Sequence, residues 1–227
     1  RTPLAFTLIA AYENLAEALA GQERTPEALG YLRRAPKELI GVAGVEERLA
    51  PTLERYLLVG TPGAAIEAPR WLNGAPAGNR IDPKGQVTWV QFTAHWCGPC
   101  KESYPGVVRL QQKYASKGFR VVMATQLYGY FEQQRNLNEA AEMAAITEYF
   151  PKHGITFPIA VSDNIAPVME NGRMVRKVNV NDANYKVAGI PQIQILDKKG
   201  VIRLIMIGYD ETNEARLGAL IARLVAE

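Results

Sequence analysis

Cys97 and Cys100 are the only cysteines among 227 residues, and only Gly98 and Pro99 separate them. They sit where the sequence changes character: Val87, Trp89, Val90 and Phe92 form a short apolar strand-like run, and helical sequence follows over residues 97–117. This junction constrains the chain more than any other feature. Two thiols at i and i+3 on a strand-to-helix turn can close a small disulfide ring and open it again, with Gly98 and Pro99 keeping the ring tight and the first sulfur outward. At the start of that helix, unpaired backbone N–H groups and the helix dipole favour a thiolate on Cys97. A free cysteine titrates near about 8.5 and some Cys-X-X-Cys sites near about 7, enough to raise the thiolate fraction at neutral pH from a few per cent to roughly half. Cys97 is therefore expected to attack and Cys100, one turn deeper, to resolve.

The rest of the pattern is built around that unit. A second apolar run over residues 119–124 completes a strand-helix-strand unit whose strands suit a parallel pair covered on both faces. Residues 137–149 read as a helix packed closely through Ala140, Ala141, Ala144 and Ala145, and residues 155–161 as a third strand. Residues 192–196 and 201–207 flank Asp197-Lys198-Lys199-Gly200 as a hairpin, and a last helix over residues 212–225 turns Leu217, Leu220, Ile221 and Leu224 inward. Residues 165–186 lie in an asparagine-rich stretch, Asn164, Asn171, Asn179, Asn181 and Asn184, expected to be a surface excursion. Upstream, Thr2-Pro3 and Thr25-Pro26 mark helix starts with threonine as cap, and Val45, Leu49, Leu53 and Tyr56 make one helical stripe. The resulting division is a helical region over 1–58, a Gly-, Pro-, Ala- and Asn-rich linker arm over 59–85, and an α/β domain over 86–227.

Composition narrows the function. With 48% hydrophobic residues the chain can bury a sizeable core, and the apolar stretch at residues 4–11 is far shorter than the roughly 20 residues a membrane helix needs. That stretch reads as part of an amphipathic helix, since Glu13 and Glu17 interrupt it before any signal-like cleavage site. A net charge of +3 with no block of like charge gives no footprint for nucleic acid. Cysteines confined to one reactive pair suit an oxidising, extracytoplasmic compartment, where stray thiols would mispair.

Trp96-Cys97-Gly98-Pro99-Cys100-Lys101 resembles the active-site motif of the thioredoxin superfamily. More narrowly, Lys84 to Val87, Phe92, Pro105, residues 154–158, residues 187–191 and the turn at 197–200 are similar to landmarks of TlpA/ResA-like thiol-disulfide oxidoreductases, redoxin-domain proteins of the periplasm or membrane surface. The resemblance covers residues 60–227 and leaves residues 1–58 outside it. It implies a thioredoxin-like fold, a mixed central sheet flanked by helices, here with an N-terminal helical region. It also implies Cys97 and Cys100 as catalytic residues and a substrate surface of Trp96, Gly98, Pro99, Ile190 and Pro191, with Pro191 following a cis peptide and no cofactor or metal. The implied partners are protein thiols or disulfides and a redox protein that donates or accepts electrons, with a membrane tether outside this sequence; separately from the resemblance, the helical residues 1–58 read as a module that brings partners to the site or pairs copies of the chain.

Two departures stand out. Thioredoxin carries a buried acid six residues before its first cysteine, where this chain has Gln91; TlpA/ResA-like proteins commonly carry Glu three residues after the second cysteine, where this chain has Ser103. Glu102 is one residue away, a rotation of about 100° on a helix, and reads as a solvated acid. Substrate or water would then take the proton from Cys100. His95 reads as a neutral surface histidine and His153 as a helix C-terminal cap. Copper or zinc handling by the same cysteines is the alternative; with two Cys and two His, a closed tetrahedral site needs carboxylates or a second chain. A peroxiredoxin-type site would place Thr where Ala94 stands.

Overall fold

In the computed structural model, which describes residues 2–163, 168–170, 173–175 and 179–227, three helices lead: α1 (Thr2–Gly21), α2 (Thr25–Glu38) and α3 (Val45–Tyr56). Thr25 is the first helical residue of α2 and not its cap. Arg24 takes the cap position without a side-chain bond, and Pro26 falls in the first turn, where a missing N–H costs nothing. Val45, Leu49 and Tyr56 are buried, so the α3 stripe faces inward.

Residues 61–85 contain three short strands: β1 (Ile66–Glu67), β2 (Arg70–Leu72) and β3 (Arg80–Ile81). β1 pairs with β3, while β2 joins the main sheet. Then come β4 (Val87–Phe92), α4 (Gly98–Tyr114), β5 (Phe119–Gln126), a small hairpin of β6 (Tyr130–Phe131) and β7 (Gln134–Arg135), α5 (Glu139–Lys152) and β8 (Ile159–Ser162). β9 (Val168–Glu170) pairs antiparallel with β10 (Arg173–Val175). The short helix α6 (Val180–Asn184), the hairpin β11 (Gln192–Leu196) and β12 (Ile202–Ile207), and α7 (Glu211–Ala226) finish the chain.

The six-stranded sheet runs β12-β11-β4-β5-β8-β2, parallel from β4 through β8 and antiparallel at both flanks. The pleat of β4 divides the core. Val87 and Trp89 pack with Tyr104, Val107 and Leu110 of α4, Ile146 of α5 and Leu217, Leu220 and Leu224 of α7. Val90 and Phe92 point the other way, into a cluster with Ile9, Leu19, Leu32 and Leu49 of the first three helices. Residues 2–58 thus pack on one face of the sheet, which they cover together with Ile66, Ala68, Ile81 and Tyr185. With both faces covered, every residue of β4 is buried. The fold is thioredoxin-like: a mixed central sheet flanked by helices, with N-terminal helices added.

The β11–β12 turn forms as its residues dictate. Asp197 accepts from the N–H groups of Lys199 and Val201, and Gly200 takes a φ of +78°, a conformation that favours glycine. Two further expectations are corrected. The buried side of α5 is Glu142, Ile146, Tyr149 and Phe150, while Ala140, Ala141 and Ala144 face solvent. The asparagine-rich stretch is not all surface: Asn179 and Asn181 are buried, and the Asn181 side chain both accepts from and donates to the Glu67 backbone, tying α6 to β1. Asn164 and Asn171 lie outside the described residues. Among the described residues no helix is long and apolar enough to cross a membrane.

Candidate active site

Cys97 is the N-cap of α4. Its extended backbone ends the turn after β4, and its Sγ accepts the Cys100 N–H at 3.2 Å. Sγ thus takes up a backbone donor that the first turn of any helix leaves unpaired, and a negative charge on that sulfur would be stabilised there. The two cysteines are joined as a disulfide, their Cα atoms 5.2 Å apart. Cys97 retains 4% exposure and Cys100 none, so the first sulfur is the one a partner can reach. Gly98 and Pro99 are exposed on the rim; a Cβ at Gly98 would meet nothing within 4 Å, and Pro99 sits in the first turn, where no N–H is required.

The loop before β11 closes the site from the opposite side. The Ile190–Pro191 peptide is cis, and the Ile190 carbonyl oxygen lies 3.7 Å from Cys97 Sγ across 93 residues of sequence. Trp96 is 47% exposed and stands edge-on to Tyr128, ring centroids 5.5 Å apart. Every residue singled out from the sequence, Trp96, Cys97, Gly98, Pro99, Cys100, Ile190 and Pro191, therefore falls on or beside the two loops that meet at Cys97.

Behind Cys100 the side chains are polar but neutral. Gln91 accepts from Trp89 Nε1 at 3.1 Å and donates to Ser103 Oγ at 2.8 Å; Ser103 donates in turn to the Cys100 carbonyl at 2.6 Å. Next to it Thr93 and Tyr104 share a hydrogen bond of 2.9 Å, and burial pushes the Tyr104 hydroxyl up to about 12. Glu102 is exposed, as its position on the helix requires.

Beside Trp96 the construction differs. His95, expected at the surface, is buried: its ring packs against Tyr128, Tyr130 and Phe131 at centroid distances of 5.7, 5.3 and 5.1 Å. Burial, reinforced by the charge of Lys101, lowers its pKa to about 4, so the imidazole is neutral near pH 7. Its Nε2 has no hydrogen-bond partner among the described residues and lies 3.9 Å from Glu142 Oε1, too far for a bond. Glu142 itself, 1% exposed, accepts the Tyr128 and Gly129 backbone N–H groups at 2.7 Å each. Sequence reading missed both Tyr128 and Glu142. The signal available was the aromatic run Tyr128-Gly129-Tyr130-Phe131 directly after a strand that ends beside the cysteines. His153 caps α5 through its backbone N–H, as expected. Among the described residues no three His, Cys, Asp or Glu side chains are grouped to hold a metal ion.

A thioredoxin-like sheet that aims a helix N-terminus at the first sulfur of a Cys-X-X-Cys pair defines a class of thiol-disulfide proteins. Residues 78–221 match the Redoxin family model, and the chain belongs to that family. It is similar to the thioredoxin-like protein YneN of Bacillus subtilis (strain 168), 29% identical over 127 residues, which are 56% of this chain and 59% of YneN. The thiol-disulfide oxidoreductase ResA of the same organism is 23% identical over 145 residues, 63% of this chain and 66% of ResA. The chain thus spans less than two thirds of either relative. A solved structure of a thioredoxin-like protein in the oxidized form aligns with a TM-score of 0.52 at 23% identity, over 74% of this chain and 97% of that one, an agreement in fold.

Proposed function

We propose that the protein is a thiol-disulfide oxidoreductase that exchanges the Cys97–Cys100 pair with protein substrates through a mixed disulfide at Cys97. The observation that carries this reading is the Cys100 N–H pointing at Cys97 Sγ at the mouth of α4, with Cys97 the more accessible sulfur. In the reducing direction the Cys97 thiolate attacks one sulfur of a substrate disulfide, and the other leaves as a thiolate that takes up a proton. Cys100 loses its proton and displaces the substrate from Cys97. The substrate gains two electrons and two protons, and the protein is left with the Cys97–Cys100 disulfide for a dithiol protein to reduce.

With Gln91 and Ser103 behind it, Cys100 has no carboxylate among its hydrogen-bonded neighbours, and the departing substrate thiolate or water serves as base. Ile190 and Pro191 offer the opposing edge on which a partner's extended chain lies, and Trp96, Gly98 and Pro99 form its rim. Residues 86–227 act as the catalytic unit, with 1–58 and 59–85 as its cover and arm.

The setting we propose is extracytoplasmic, supported by the confinement of cysteine to the reactive pair. Pairing of copies through residues 1–58 is supported by the exposed Phe6, Leu8, Leu15 and Ile40 on that layer; a monomeric mass in light scattering would remove it. Trapping tests the exchange: Cys100→Ser accumulates covalent adducts with substrate proteins and Cys97→Ser does not, whereas equal trapping by both would overturn the assignment.

A further inference from the structure

Glu142 is a buried carboxylate that exchange at the cysteines does not use, and its placement is specific. Each of its oxygens takes one backbone N–H of the corner that follows β5, Tyr128 on Oε1 and Gly129 on Oε2. Charge-assisted bonds of this kind are stronger than neutral ones, and two of them fix both position and direction of the backbone. Gly129 sits at a φ of +75° and accepts the Leu137 N–H at 2.9 Å, closing the β6–β7 excursion onto the same corner.

The corner carries one side chain toward the site. Tyr128 meets Trp96 edge-on, and with Ile190, Thr93 and Asn179 it lines a cavity of about 30 Å³, so Tyr128 and the Ile190 loop border one opening. Cys97 follows Trp96 in the chain, and its Sγ lies 3.7 Å from the Ile190 carbonyl oxygen. A partner joined to Cys97 through its own cysteine must place the adjoining residue about 3.3 Å further along an extended strand, within reach of Trp96, Tyr128 and Ile190. All three surfaces are largely apolar, and aromatic pairs contribute beyond simple burial.

We propose that Glu142 is a positioning residue: by clamping the Tyr128–Gly129 backbone it holds Tyr128 beside Trp96 as a second aromatic wall. Through that wall the site prefers polypeptides with a bulky apolar side chain next to the reacting cysteine. The inference rests on the exchange reading above and names the substrate class of the same site. Replacing Glu142 by Gln leaves one oxygen to accept and turns an NH2 toward the second N–H, donor against donor, so the corner is released while side-chain size is kept.

The test uses the reduced full chain and two disulfide-linked peptide probes that differ only in Phe or Gly beside the reacting cysteine. The second-order rate constants of exchange are compared. The wild type reacts faster with the Phe probe, by about five- to tenfold, and E142Q brings that ratio toward one. Tyr128→Ala does the same, and the double variant loses no more preference than either single one. General destabilisation lowers both rates together and leaves the ratio alone. Should E142Q fail to fold, Y128A carries the same test. A wild type reacting equally with both probes, or a preference that persists in E142Q or Y128A, overturns the proposal while leaving exchange intact. A wild type inert to both probes overturns the exchange reading and this inference with it.

Discussion

The two flanks of the α4 N-terminus are built from opposite materials. Behind Cys100 runs a neutral chain, Trp89 to Gln91 to Ser103 to the Cys100 carbonyl, and beside Trp96 stands a buried carboxylate, Glu142, with both oxygens occupied by backbone N–H groups. A buried charge is tolerated where donors surround it, and this one is spent on holding a loop. The neutral flank adds no charge where, in the proposed exchange, Cys100 gives up its proton. Position is thus fixed on one side by charge and on the other by a chain of neutral groups.

The contrast can be broken at several points. Glu142→Leu leaves two half-buried N–H groups without their acceptor and should lower unfolding stability by about 4 kcal/mol; urea denaturation checks this, and a loss below about 1 kcal/mol would mean that the clamp is not structural. His95 adds a pH term to the charged flank. Its pKa is lowered to about 4 by burial and then by Lys101, so between pH 4 and about 6.5 the unfolded chain binds the extra proton. This contribution is full above about pH 6.5 and is lost as pH falls toward 4, on the order of 3 kcal/mol in all. Stability measured against pH should therefore flatten over that window in His95→Phe, and an unchanged slope would count against the buried neutral imidazole. On the neutral flank Gln91→Leu leaves Trp89 Nε1 without its acceptor and should cost about 2 kcal/mol, with no new inflection in the pH profile of exchange. The smallest effect belongs to a pair remote from both flanks: Arg109→Ala removes the exposed ion pair with Glu214 and should leave the denaturation midpoint within error.

What could be read from sequence follows the strength of each local signal. The cysteine pair at a strand-to-helix junction, the Asp197–Gly200 turn and the leucine stripe of α7 are written in short-range chemistry, and the structure has them where the residues put them. β2 gave no such signal, because three residues with one buried side chain carry no periodicity; its place is set by pairing with β8. The alanines of α5 suggested the packing face, yet the opposite side is buried, since Ile146, Tyr149 and Phe150 remove more apolar area from water than alanine does. That misreading hid Glu142. A glutamate on an exposed helix is the ordinary case, and only the return of the Tyr128–Gly129 backbone makes this one a clamp. The surface expectation for His95 fails for the same reason: its cover comes from residues 128–131, which no local signal brings over it.

The most direct test of the account is the ionisation of Cys97 in the reduced protein, followed as the pH dependence of alkylation with identification of the modified cysteine. Cys97 alone should be alkylated and should ionise at least about one pH unit below the value near 8.5 of a free cysteine. Ionisation near 8.5, or modification of Cys100 in preference to Cys97, would contradict it.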